Sequence, residues 1–148
     1  MTATRRLVPS HAVLAGLPAD LTRASSRPAR VAIGWPDDPY ARPAEALLMP
    51  RLLAILADFA VPAVIRTRSP LILRDLVALA RLARAAGVRV SFRIVTLDDV
   101  RVAARLARAG IDVDAALLRA IGGRLDAAIG RARIAPEAPR QLGLNIAV

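Results

Sequence analysis

The feature that most constrains this chain is a repeated order of short apolar runs and amphipathic stretches. Residues 30–35, Arg-Val-Ala-Ile-Gly-Trp, read as a short buried strand. Residues 44–59 follow as a helix, with Leu48, Leu52, Ile55, Leu56 and Phe59 near helical spacing and Pro50 marking a kink or the start of its regular part. Residues 63–68 read as a second strand. Ser69 then supplies a helix cap, with Pro70 at the first helical position. The predicted helix places Leu73, Leu76, Val77, Ala80 and Ala83 on its apolar face, and Gly87 closes it. A third strand is predicted over 88–97 from the alternation of Val88, Val90, Phe92 and Ile94. Asp98 or Asp99 then caps a helix with Val100, Ala103, Ala104 and Ala107 on one face, ended by Gly110. Asp112 is predicted to cap a fourth helix carrying Leu117, Ile121 and Leu125, and the tail from Ile134 holds one further short strand.

Strands alternating with helices in this way mean right-handed βαβ units on a parallel sheet. A closed eight-stranded barrel takes about 250 residues, and this chain has 148. The expected fold is therefore α/β: a partial, incomplete TIM-type β/α barrel over 31–148, with three to four parallel strands and flanking helices. Residues 1–30 are read as a lead-in containing Pro9, Pro18 and Pro28 and one short helix near residues 19–25. No Gly-x-Gly-x-x-Gly or Walker loop follows any predicted strand, which argues against the nucleotide-binding doubly wound folds.

Composition removes several chemistries. There is no cysteine, so the chain has no disulfide, no catalytic thiol and no thiolate ligand for zinc or an iron–sulfur cluster. His11 is the sole histidine, and Trp35, Tyr40, Phe59 and Phe92 are the only aromatic residues, too few for a multi-ring base-stacking platform. All 22 basic residues are arginine, 32 residues are alanine, and the formal net charge is +10. Arginine and alanine in such excess without lysine match the coding bias of a GC-rich genome, yet the charge still attracts polyanions. Helical spacing groups Arg74, Arg81 and Arg84, and separately Arg101, Arg105 and Arg108. These rows are candidate contacts for nucleic acid and equally the solvent faces of amphipathic helices. Arg5-Arg6 precedes an apolar stretch interrupted by Pro9 and His11, a poor signal peptide. Residues 47–65 carry Arg51 and Asp58 and suit no bilayer crossing. A cytoplasmic location without membrane contact is expected.

In parallel α/β architectures functional residues gather at the carboxyl ends of strands. Those ends hold Trp35-Pro36-Asp37-Asp38-Pro39-Tyr40, then Thr67-Arg68-Ser69, then Thr96-Leu97-Asp98-Asp99. Read singly, each has a structural explanation as a turn or a cap. In order, they carry a resemblance. Val31-Ala32-Ile33-Gly34, Asp38-Pro39-Tyr40 and Pro43-Ala44-Glu45 resemble the second-strand segment of radical S-adenosylmethionine proteins, in the subgroup similar to spore photoproduct lyase and often called DNA-repair-photolyase-like. Residues 65–75 resemble the same subgroup's Ile-Leu-Thr-Lys-Ser-Pro-Leu-Ile-Leu-Arg-Asp. Val90-Ser91-Phe92 and Thr96-Leu97-Asp98 match its Val-Ser-Phe and Thr-Leu-Asp. The match covers 31–99 well and 100–145 faintly.

The departures are as informative. The family's Cys-x-x-x-Cys-x-x-Cys, on its first strand and loop, is expected upstream of Met1. A [4Fe–4S] cluster therefore cannot be held by this chain alone. Trp35-Pro36-Asp37 replaces the family's Thr-x-Thr approach to Asp38, and Arg93 stands where a small polar residue is expected. The resemblance thus implies a truncated or degenerate radical S-adenosylmethionine protein without radical catalysis of its own. Any retained S-adenosylmethionine site would use Asp38, Tyr40, Glu45, Thr67, Arg68, Ser69, Ser91 and Thr96. Their implied roles are hydrogen bonds to the amine, carboxylate or ribose, with Arg68 the natural carboxylate partner. The other readings are an arginine-rich module for nucleic acid or another polyanion, and a homodimer or partner chain covering the sheet edge left open by a missing first strand.

Overall fold

The computed structural model describes residues 4–114. Five strands, β1 (Thr4–Leu7), β2 (Arg30–Ile33), β3 (Ala63–Thr67), β4 (Val88–Phe92) and β5 (Asp112–Asp114), form one sheet in the order β1-β2-β3-β4-β5. Every neighbouring pair is parallel. The connections are α1 (His11–Arg23), α2 (Pro43–Ala46) with α3 (Met49–Asp58), a 3₁₀ turn over Pro70–Asp75 leading into α4 (Leu76–Ala85), and α5 (Leu97–Arg108). Right-handed crossovers between strands laid down in sequence order all rise on the same side of the sheet. The helices accordingly line one face, with α3 packed between α1 and α4.

Parallel register sorts the strand residues onto two faces. Leu7, Ile33, Ile65, Val90 and Val113 share one row, and Val31, Ala63 and Val88 the row before it; all are buried against the helices. At about 1.5–3 kcal/mol for each large aliphatic side chain taken from water, these rows and the buried Leu52, Leu53 and Leu56 of α3 carry much of the stability. The opposite face is different. Its rows are Arg6, Ala32, Val64, Arg89, Asp112 and then Arg66, Ser91, Asp114. Arg89 and Asp112, neighbours in register, form an ion pair at 2.8 Å.

Several elements differ from their sequence-based expectation. Residues 1–30 contribute a strand as well as a helix, and β1 lies parallel on the edge of β2 that was expected to be open for want of a first strand. Only Leu7 of β1 is buried, so its polar residues hide the strand from periodicity. The helix runs from His11 rather than residue 19. Ser10 caps it by accepting the Val13 N–H, and burial of Leu14, Leu17 and Leu21 offsets the roughly 3 kcal/mol cost of Pro18 inside it. Residues 44–59 divide into α2 and α3, with Pro50 in the first turn of the second.

Ser69 does cap the next segment, but six residues wind as 3₁₀ before the α-helix begins. Three residues per turn instead of 3.6 advances the face by about 120° over that span. Val77, expected on the apolar face, is consequently 85% exposed, and Ile72, Leu79 and Leu82 are the buried positions. Strand β4 ends at Phe92, not residue 97, because the Asp99 carboxylate accepts the N–H groups of Val95 and Thr96 and starts α5. Asp112 caps no helix: residues 112–114 are β5. The predicted helix with Leu117, Ile121 and Leu125, and the tail strand, lie outside the described residues.

Candidate functional site

The carboxyl ends of β1 to β4 meet around a cleft of about 690 Å³. Its walls are Val8 and Pro9 after β1, Gly34 and residues 36–39 after β2, Glu45 of α2, residues 66–68 at the end of β3, and Arg93 after β4.

Asp38 organises this end of the sheet. Its Oδ1 accepts the Tyr40 N–H at 2.9 Å and the Thr67 hydroxyl at 2.8 Å, while Oδ2 accepts the Arg68 N–H at 3.0 Å. Thr67 Oγ1 in turn accepts the Ser69 N–H at 3.0 Å. One carboxylate therefore ties the loop after β2 to the loop after β3. Hydrogen bonds to a charged acceptor contribute about 1.5–3 kcal/mol each, enough to fix both loops.

Gly34 enforces the same closeness. Its φ is +101°, and a Cβ there would sit 2.3 Å from the Arg66 carbonyl oxygen, so no other residue fits. Arg66 spans the gap from the other side. Its Nε donates to the Gly34 carbonyl at 2.9 Å and its Nη2 to the Pro36 carbonyl at 3.0 Å, while the guanidinium lies 4.8 Å from the Trp35 ring centroid.

Below the cleft, the Tyr40 hydroxyl donates to Asp75 Oδ2 at 2.8 Å in the core. Burial pushes the Tyr40 hydroxyl well above its ordinary pKa, and the Asp75 charge adds to the rise. Burial also raises Asp75, against the lowering effects of the Tyr40 hydrogen bond and Arg74. Tyr40 thus stays protonated and donates, a structural tie between the β2 loop and the 3₁₀ turn.

The structure brings together half of the residues named from the sequence. Asp38, Glu45, Thr67 and Arg68 line the cleft. Tyr40 is buried beneath it, and Ser69 caps the 3₁₀ turn through the Leu71 N–H. Ser91 lies half-buried on the helix-free face, and Thr96 forms a capping box with Asp99; neither lines the cleft. Partial burial raises the pKa of Asp99, but the N–H groups of Val95 and Thr96 and the Thr96 hydroxyl outweigh it and leave a net lowering. Sequence reasoning passed over Arg66, Arg93 as a contributor, and Gly34. Alternation along residues 63–68 already placed Arg66 and Arg68 on one face, which was the available signal.

Arg42 reaches Glu45 Oε1 at 3.3 Å across the cleft rim. Arg81 pairs with Asp58 and Arg101 with Asp98, so part of each helical arginine row is neutralised. Among the described residues no group of three or more His, Cys, Asp or Glu side chains is placed to hold a metal, and no helix is long and apolar enough to cross a membrane. Comparison of the chain with protein-family models, with curated proteins and with solved structures finds no match in any of the three.

Proposed function

We propose that this chain is a radical S-adenosylmethionine-like β/α protein, similar to spore photoproduct lyase in its strand-end segments, that binds S-adenosylmethionine or a close analogue without radical catalysis of its own. The observation that carries the reading is the convergence of Asp38, Glu45, Thr67 and Arg68 on one cleft. The resemblance selected these residues from separate segments, and four of the eight it selected line one cleft. Five parallel strands in sequence order, helices on one face only, also suit an incomplete barrel better than a doubly wound sheet, which needs a reversal of strand order.

A [4Fe–4S] cluster does not fit the residues present. The loop after β1, Val8-Pro9-Ser10, offers no thiolate, and the whole sequence contains none. S-adenosylmethionine itself fits better. The Arg68 guanidinium forms no hydrogen bond or ion pair among the described residues and can meet a carboxylate, and Asp37, with the Glu45 oxygen that Arg42 does not engage, offers acceptors for an ammonium group. Asp38 and Thr67 hold the wall in place rather than touch the ligand, because their own hydrogen bonds occupy them.

Calorimetric titration with S-adenosylmethionine tests the proposal. Saturable one-to-one binding, weakened about tenfold or more by Arg68→Gln, is expected. Absence of saturation, or binding indifferent to Arg68→Gln, overturns it. The second reading, a module for nucleic acid or another polyanion, draws on Arg66, Arg68 and Arg93 of the cleft, which form no ion pair among the described residues.

A further inference from the structure

We propose that Arg66, Arg68 and Arg93 form a phosphate subsite in the cleft, so that it also accepts a small phosphate monoester. This goes beyond the reading above, because it rests on the arginines that line the cleft and not on the resemblance.

Thr67 and Phe92 are paired in register, and the Arg93 N–H donates to the Thr67 carbonyl at 3.1 Å as part of that last pair. Arg68 and Arg93 are the residues that follow it on the two neighbouring strands, and both line the cleft. Like charges brought into one cleft repel unless a counter-charge lies between them. Arg66 lines the same cleft, already immobilised by Gly34, Pro36 and Trp35. Two of its five N–H groups are used there, which leaves three for a ligand.

The carboxylates of the cleft offset this group only in part. Asp38 is committed to Tyr40, Thr67 and Arg68 N–H, and Glu45 is engaged by Arg42. Asp37, Asp38 and Glu45 stand in the cleft wall against Arg42, Arg66, Arg68 and Arg93, an excess of one positive charge, and Arg66, Arg68 and Arg93 form no ion pair among the described residues. A carboxylate has two oxygens and one charge, fewer acceptors than three guanidinium forks can donate to. A phosphate monoester has three terminal oxygens and about −1.5 to −2 charge at pH 7. A cleft of about 690 Å³ suits a small molecule. A polymer would need continuous charge along the helices, where Arg81 and Arg101 are already paired.

Titration of the full chain with adenosine 5′-monophosphate, inorganic phosphate and adenosine, at fixed ionic strength, tests the proposal. Both phosphates are expected to bind saturably and adenosine not to bind. Arg68→Gln and Arg93→Gln should each weaken the monoester about tenfold or more, while Arg84→Gln, with the same charge loss on α4, should change it less than about twofold. Arg93→Lys keeps the charge without the fork and should fall between. Equal losses in all the Gln variants, or no saturation by either phosphate, overturn the subsite. Tighter binding of a single-stranded oligonucleotide, weakened as much by Arg84→Gln as by Arg93→Gln, also overturns it and favours a polyanion surface. The outcome separates from the preceding proposal: S-adenosylmethionine binding without phosphate binding removes the subsite alone, and phosphate binding without S-adenosylmethionine binding removes the radical-family ligand alone.

Discussion

Two aspartates at strand ends are both hydrogen-bonded to backbone, yet they build different things. Asp99, after β4, accepts N–H groups from Val95 and Thr96 within its own turn, and Thr96 returns the bond. That arrangement starts a helix and reaches no other strand. Asp38, after β2, accepts from Tyr40 nearby but also from Thr67 at the end of β3 and Arg68 just after it, about thirty residues away in sequence. The local cap satisfies orphan donors; the bridging carboxylate holds two loops apart at a fixed distance and so shapes a cleft. A carboxylate becomes part of a site here when its partners belong to another strand.

The sharpest way to break the bridged region is at Gly34. Gly34→Ala forces a Cβ into the Arg66 carbonyl at a φ of +101°, and a loss of about 4 kcal/mol or more, or failure to fold, is expected in chemical denaturation. Asp38→Ala comes next. It strands the Thr67 hydroxyl and two backbone N–H groups, and a loss of about 2–3 kcal/mol with abolished ligand binding is expected. Thr96→Ala removes a cap only, so a cost of about 1 kcal/mol with unchanged ligand affinity should follow.

The smallest effect is a gain. Asp75 has a folded-state pKa above its ordinary value of 3.8, so its protonated form is the one the fold favours. Stability from that group is complete below 3.8 and lost as pH rises through the raised folded value. Asp75→Asn keeps an acceptor for the Tyr40 hydroxyl without the charge. It should raise the thermal midpoint at neutral pH, by an amount that shrinks as pH falls toward 3.8. A gain independent of pH would contradict this assignment. Asp99 runs the other way: its lowered pKa stabilises above 3.8, and that contribution is lost as pH falls through the folded value.

The same contrast explains what was legible in the sequence. β2, β3, the start of β4 and the apolar face of α5 followed from periodicity because each buries residues at regular spacing. β1 did not, because an edge strand with one buried residue has no pattern to read. The face of α4 was misplaced because a 3₁₀ turn changes the helical phase without changing the residue types. In the site, resemblance led to Asp38, Glu45, Thr67 and Arg68. It also led to Ser69 and Thr96, which are caps, since Ser and Thr beside a helix start look alike whether they serve a ligand or the backbone. That Arg68 and Arg93 line one cleft depends on which strands are neighbours, which a single sequence does not reveal.

One titration tests the central claim that Asp38 builds a ligand cleft while Asp99 builds only a helix end. S-adenosylmethionine and adenosine 5′-monophosphate are titrated into the unaltered chain, Asp38→Asn and Asp99→Asn, each at a temperature where unfolding curves show it folded. Saturable binding of at least one ligand by the unaltered chain, weakened about tenfold or more by Asp38→Asn and left within about twofold by Asp99→Asn, is the predicted result. No binding by the unaltered chain, or equal losses in the two variants, would contradict the account.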